Sequence, residues 1–116
     1  MKSFKELIVW QKSISLTVHI YKISEQFPEY EKFALVSQMH RVAVSIPSNI
    51  AEGAARNSNK DYIRFLYISL GSIAELETQL IIAERIKYLK SQVILEDLKL
   101  IRKKLINLIK YLKDNI

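Results

Sequence analysis

Cysteine is absent from the 116 residues, and only two glycines, two prolines and two histidines occur. Without cysteine there is no disulfide framework and no thiolate metal site. So few turn residues argue against a β-sandwich or an α/β sheet. They also leave no glycine-rich loop to cradle a phosphate and no Gly-x-Ser-x-Gly elbow. His19 and His40 have no His, Asp or Glu at i+3 or i+4. The Glu-x-x-His pairs of a di-iron bundle are therefore missing, as is the spacing of a hydrolytic triad. Glu75 and Glu77 lie two apart and point to different faces, while Glu52 with Arg56 at i+4 reads as a helical ion pair. Apolar runs fall short of the ~20 residues of a membrane span, and the start from Met1 to Glu6 lacks a signal-peptide core. The expectation is a cytoplasmic, non-enzymatic single domain over residues 1–116, with no cofactor, no metal and no membrane contact.

What the sequence does hold is helix. Ser3 and Glu6 have capping-box spacing, so a first helix is expected from about Phe4. Leu7, Trp10, Ile14, Val18 and Tyr21 form one apolar stripe, and Val9, Leu16, Ile20, Ile23 and Phe27 form a second. Pro28 closes that unit and is expected to open the next helix, helped by Glu29 and Glu31. This second helix should run to about Ala51, kink near Pro47 and stop at Gly53. A third helix is expected from Asn59 to Leu89, capped by Asn57 or Ser58. Between Tyr62 and Leu70 it is apolar on so many sides that it must be central or face a partner chain. Mid-helix Gly71, in the small-residue strip Ser69, Gly71, Ser72 and Ala74, is expected to mark close packing. Ser91 should cap a fourth helix whose seam is Ile94, Leu98, Ile101, Leu105, Leu108 and Leu112. Trp10, Leu66, Leu76 and Leu80 are expected in the core. The fold class is all-α, an antiparallel up-down-up-down four-helix bundle. Its apolar surplus, beyond what one bundle core hides, predicts self-association.

Two surfaces stand out as candidate sites. Residues 91–116 hold six basic against three acidic residues, half of the net charge of +6. Lys99, Arg102, Lys103, Lys104, Lys110 and Lys113, with Lys2, Lys5 and Lys12 from the neighbouring helix end, form a candidate nucleic-acid-binding surface. On the second helix Gln38, Arg41, Ser45, Ser48, Asn49 and Glu52 form one polar stripe, poor in the Lys and Glu of an ordinary solvated face. It reads as a hydrogen-bonded seam between helices or subunits, as the lining of a channel, or as solvated surface.

These residues carry a resemblance. The chain resembles the four-helix-bundle family of proteins encoded in intervening sequences of bacterial 23S rRNA genes, also labelled S23 ribosomal proteins and related to the accessory variability determinant of diversity-generating retroelements. The resemblance lies in Phe4-Lys5-Glu6-Leu7, Val9-Trp10-Gln11-Lys12, Phe27-Pro28, the run from Arg41 to Gly53 with its Ser48-Asn49-Ile50-Ala51-Glu52-Gly53, and Glu75 to Leu80. It implies a barrel-like homopentamer. For the retroelement members it implies binding to nucleic acid, RNA or DNA, and to a reverse transcriptase. The family commonly has Arg-Arg where this chain reads His40-Arg41. The function expected is thus a homo-oligomeric, basic nucleic-acid-binding accessory; the rival is an oligomeric scaffold without nucleic-acid contact.

Overall fold

Ser3 starts a turn, not the first helix. In the computed structural model, which describes residues 3–90 and 92–115, Phe4–Glu6 is a single 3₁₀ turn whose Lys5 amide donates to Ser3 Oγ at 3.2 Å. Leu7 is extended (φ −70°, ψ 124°), and α1 runs Ile8–Ser24. The capping-box spacing therefore caps a turn, and Glu6 does not continue into the helix. Pro28 likewise caps only a 3₁₀ turn, Glu29–Glu31; Ala34 (φ −119°, ψ −105°) breaks the path and α2 runs Leu35–Ala54. Lys2 and the cap expected of Ser91 lie outside the described residues.

The third helix, α3, runs Asn59–Arg85, with Ser58 Oγ accepting from the Asp61 amide at 3.2 Å. It ends four residues before Leu89 because Lys87 turns left-handed (φ 68°). Tyr88 then donates to Ala83 O and Lys87 to Glu84 O, both at 2.9 Å, the paired bonds of a Schellman stop made without glycine. The last helix, α4, runs Gln92–Asp114. By length and composition α3 is apolar enough to cross a bilayer, contrary to the reading of its short apolar runs. Its apolar side is spent on the bundle core, through Leu66, Ile73, Leu76 and Leu80.

Each helix packs on two others: α1 on α2 and α4, and α3 on α2 and α4. The expected kink residue decides how α1 meets α2. Pro47 has no N–H for the carbonyl of Ala43, which is fully buried. Thr17 Oγ1 on α1 reaches that carbonyl at 3.1 Å, sharing its one hydrogen with Ser13 O at 2.8 Å. One turn on, Ser69 Oγ of α3 donates to Ile46 O at 3.0 Å. Gly53 is no helix stop. It lies inside α2, and a Cβ there would sit 2.8 Å from Phe65 Cβ and 2.9 Å from Tyr62 Cδ1. Any side chain at that position overpacks the α2–α3 contact by roughly 1–3 kcal/mol. Gly71 shows the reverse, because nothing lies within 4 Å of its added Cβ, so packing within the chain gives no reason for it.

The two stripes of α1 divide. Val9, Leu16, Ile20 and Phe27 enter the core with Ser13 and Ser24, whereas Ile14, Val18 and Tyr21 remain exposed. Trp10 is half-buried at the rim, edge-on to Phe4 at 5.3 Å between ring centroids. It is not the core residue expected; Leu66, Leu76 and Leu80 are, all fully buried.

A double-mutant cycle tests the Thr17–Pro47 pairing. Thr17→Val should destabilise the chain by about 1–2 kcal/mol, since it strands a buried carbonyl. In a Pro47→Ala background, where an amide can reach Ala43 O, the same change should have much less effect. Urea denaturation measures both, and equal losses in the two backgrounds would refute the pairing.

Candidate nucleic-acid interface

The register of the α4 core places its cations. Ile94, Leu98, Ile101, Leu105, Ile109 and Leu112 are buried. Ile109 thus takes the position expected of Leu108, which is only half-buried. Lys99, Arg102, Lys103, Lys110 and Lys113 are all exposed, with Lys99, Arg102 and Lys113 on the flank of the seam beside α3. Lys104 is half-buried and separate. It falls three and four residues from Ile101 and Leu108, on the flank where Asp97 and Leu100 share a groove with Lys12, Ser15 and His19 of α1. The structure therefore splits the expected patch: five cations form one row, while Lys104 and Lys12 lie on the α1 side beside a carboxylate.

The row continues onto α3, which sequence reasoning missed. Lys113 Nζ donates to Tyr67 Oη at 2.9 Å and lies 5.4 Å from the centre of its ring. Arg64, one turn before Tyr67, extends the cations along the same face. The spacing of 64 and 67 was readable; their meeting with Lys113 was not. At the other end, α3 and α4 enclose a cleft of about 880 Å3 over Ile73 and Leu98. Glu77 and Glu84 line its α3 wall, and Lys99 and Arg102 its α4 wall. The row thus ends against acidic side chains.

The polar stripe of α2 is only partly a seam. Ser45 Oγ lies 2.6 Å from Ser72 Oγ on α3 and 2.6 Å from Val42 O. Asn49 Nδ2 turns back to Ser45 O at 2.8 Å. Gln38, Arg41, Ser48 and Glu52 are exposed, and Glu52 pairs with Arg56 at 3.9 Å. Within the chain, the stripe's inter-helix contact is the Ser45–Ser72 bridge between small hydroxyls. Gln79 on α3 carries the one buried side-chain oxygen without a partner among the described residues, Oε1.

A serine–histidine contact also escaped sequence reasoning. Ser24 Oγ lies 2.8 Å from His40 Nε2, and the imidazole stacks on Tyr21 at 3.8 Å and 15°. Ser24 Oγ lies 3.1 Å from the carbonyl of Tyr21, its i−3 acceptor. Ser24 is buried, and the pair clamps the end of α1 to α2. Glu25, Glu29 and Lys32 rim the groove beside it. Among the described residues no group of three or more His, Asp or Glu side chains is placed to hold a metal ion.

Burial lowers the His40 pKa below 6.5, so the folded chain favours neutral imidazole. The unfolded chain takes up the proton first as pH falls, and stability declines from about 6.5 down to the lower folded value. Thermal melts between about pH 7.5 and about pH 5.5 should show this decline, and His40→Gln should flatten it. An unchanged profile in that variant would assign the decline elsewhere.

Comparison with known proteins follows the geometry. The chain is similar to a crystal structure of a protein of unknown function from the S23 ribosomal protein family of Bacteroides thetaiotaomicron VPI-5482. The two share 31% identity and a TM-score of 0.81, over 89% of this chain and 96% of that one. A search of curated proteins returns no match. The sequence profile of the 23S rRNA-intervening sequence proteins matches residues 5–113. With that match spanning nearly all of its length, the chain belongs to the 23S rRNA-intervening sequence protein family.

Proposed function

We propose that this chain is a non-enzymatic, cytoplasmic, homo-oligomeric binding protein, an up-down-up-down bundle whose α4 face contacts the phosphates of RNA or DNA. One observation carries the reading. From Lys99 to Lys113 the helix holds six cations and no carboxylate, and five of the six are exposed. A face that served solubility alone would interleave Glu at i±4 and form ion pairs. Here the stretch is roughly 21 Å long at the helical rise, with Glu96 and Asp114 just beyond its two ends and Glu77 and Glu84 across the cleft from Lys99 and Arg102. Leu100, Ile106 and Tyr111 are exposed on the same helix and supply apolar contact beside the charges.

Self-association has its own support. Ile14, Val18, Tyr21 and Val44 are exposed on α1 and α2, and Ile68, Ile81 and Ile82 on α3. Gly71, with open space around it, lies in the α3 group. Two separate apolar faces suit head-to-tail contacts, which close into a ring, and a homopentamer of the kind implied by the resemblance satisfies both. Repetition of the basic row around a ring would raise affinity through avidity. A scaffold without nucleic-acid contact shares the apolar faces but leaves the α4 row without a role.

Filter binding of single-stranded and duplex RNA and DNA at two ionic strengths separates the two readings. Affinity should be sequence-tolerant and fall steeply with salt. Lys99→Gln with Lys103→Gln should lower the slope of log affinity against log salt by about 1.5–2. Unchanged binding and slope in that variant would leave the scaffold. Sedimentation of the parent at micromolar concentration should give an assembly, and a monomer would remove the oligomer from the proposal.

A further inference from the structure

At the turn between α2 and α3, two guanidinium groups are held against one aromatic ring. Arg56 and Arg64 each place the guanidinium carbon 4.5 Å from the centre of Phe65, a buried ring. Asp61 orients both. Arg64 Nε donates to Oδ1 at 3.1 Å, and Arg56 Nε lies 3.9 Å from Oδ2. Glu52 adds only a 3.9 Å ion pair to Arg56. Arginine has five N–H donors in a fixed fork. Arg64 spends one on Asp61, and its terminal N–H groups have no partner among the described residues. Both side chains reach solvent, at 41% and 60% exposure. Stacking and ion pairing have already removed much of their rotamer freedom, so little is left to lose when a ligand binds.

Oxyanions with two or three equivalent oxygens match such forks. Arg64 shares its face of α3 with Tyr67, which Lys113 joins to α4. We propose that Arg56 and Arg64 form a phosphodiester clamp that grips a nucleic-acid strand and leads it past Tyr67 and Lys113 onto the α4 row. The clamp rests on the nucleic-acid reading of α4 and adds a second site outside it. Asp61 and Glu52 offset part of its charge, so it works through fork geometry and preorganisation more than through net charge. Lysine, a point charge without a fork, cannot replace arginine there.

Fluorescence anisotropy with a short labelled oligouridylate tests the clamp, with melting temperatures recorded for every variant. Arg56→Gln with Arg64→Gln should weaken binding about tenfold or more and lower the salt slope by about 1.5. Arg64→Lys keeps the net charge and the fold, and should still weaken binding several-fold. If both clamp variants bind like the parent while Lys99→Gln with Lys103→Gln loses affinity, the clamp is wrong and the α4 reading stands. Loss confined to the clamp variants would keep the clamp and overturn the α4 row. A parent that does not bind, or two sets that both bind like the parent, would overturn both. Inorganic phosphate should displace the oligonucleotide no better than chloride at equal ionic strength; displacement at far lower concentration would make a free anion the ligand and sink the strand proposal.

Discussion

Pro47 sits inside α2, and the arrangement of the other helices follows from how its missing hydrogen bond is satisfied. A mid-helix proline destabilises an isolated helix by about 3 kcal/mol or more. The carbonyl it frees, on fully buried Ala43, has no water to turn to. Thr17 fills that vacancy from α1, and Ser69 donates to Ile46 O from α3. Both donors are small hydroxyls, and both require the neighbouring helix axis to be close. Gly53 imposes the same closeness one end further along, where Phe65 and Tyr62 press on the backbone of α2. The helix with the strongest breaker is thereby the one most tightly tied to its neighbours.

That fixed frame determines which sides of α3 and α4 are left over. Once α3 is pinned to α2 through Ser69, Ser72 and Phe65, its opposite face carries Arg64, Tyr67, Ile68 and Gly71 to the surface. The seam of α4 then closes on α3 and α1, and five of its cations are left exposed. Tyr67 and Lys113 meet across the α3–α4 boundary, so the charges of two helices become one row. The two ends of the bundle differ in character. One is tied by Tyr88, which hydrogen-bonds Glu31 Oε2 at 2.7 Å and lies 3.1 Å from Tyr30 Oη. These bonds push the Tyr88 phenol well above its ordinary pKa. The other end carries the paired arginines of the α2–α3 turn.

The polar groups of this molecule divide between interior and surface. Among the described residues the buried polar side chains are Ser13, Ser24, Ser69 and Gln79; the three serines serve backbone carbonyls, and His40 ties α1 to α2. Ionisable groups gather at the outside, where they are hydrated and where long-range attraction to a polyanion needs no desolvation of the protein interior. Such a surface selects by charge, spacing and oxyanion geometry.

By itself the sequence determined the helical class, the number of long helices and the family. Those follow from periodicity, scarce breakers and a specific run of residues, all local along the chain. It also showed that the excess cations lie on the last helix. It misplaced the starts of α1 and α2, because a Ser or Pro that can open a helix can equally close a single 3₁₀ turn, and only the following backbone decides. It put Trp10 inside and made Gly53 a helix stop where the residue serves a close helix approach, since neither the more buried of two apolar stripes nor such an approach is written in one helix. Tertiary structure alone decided that Thr17 answers Pro47, that Lys113 meets Tyr67, and that Arg56, Arg64 and Phe65 converge. Each depends on the rotation of one helix about its axis relative to another. That rotation is set by packing summed over many side chains, to which no single stretch of sequence has access.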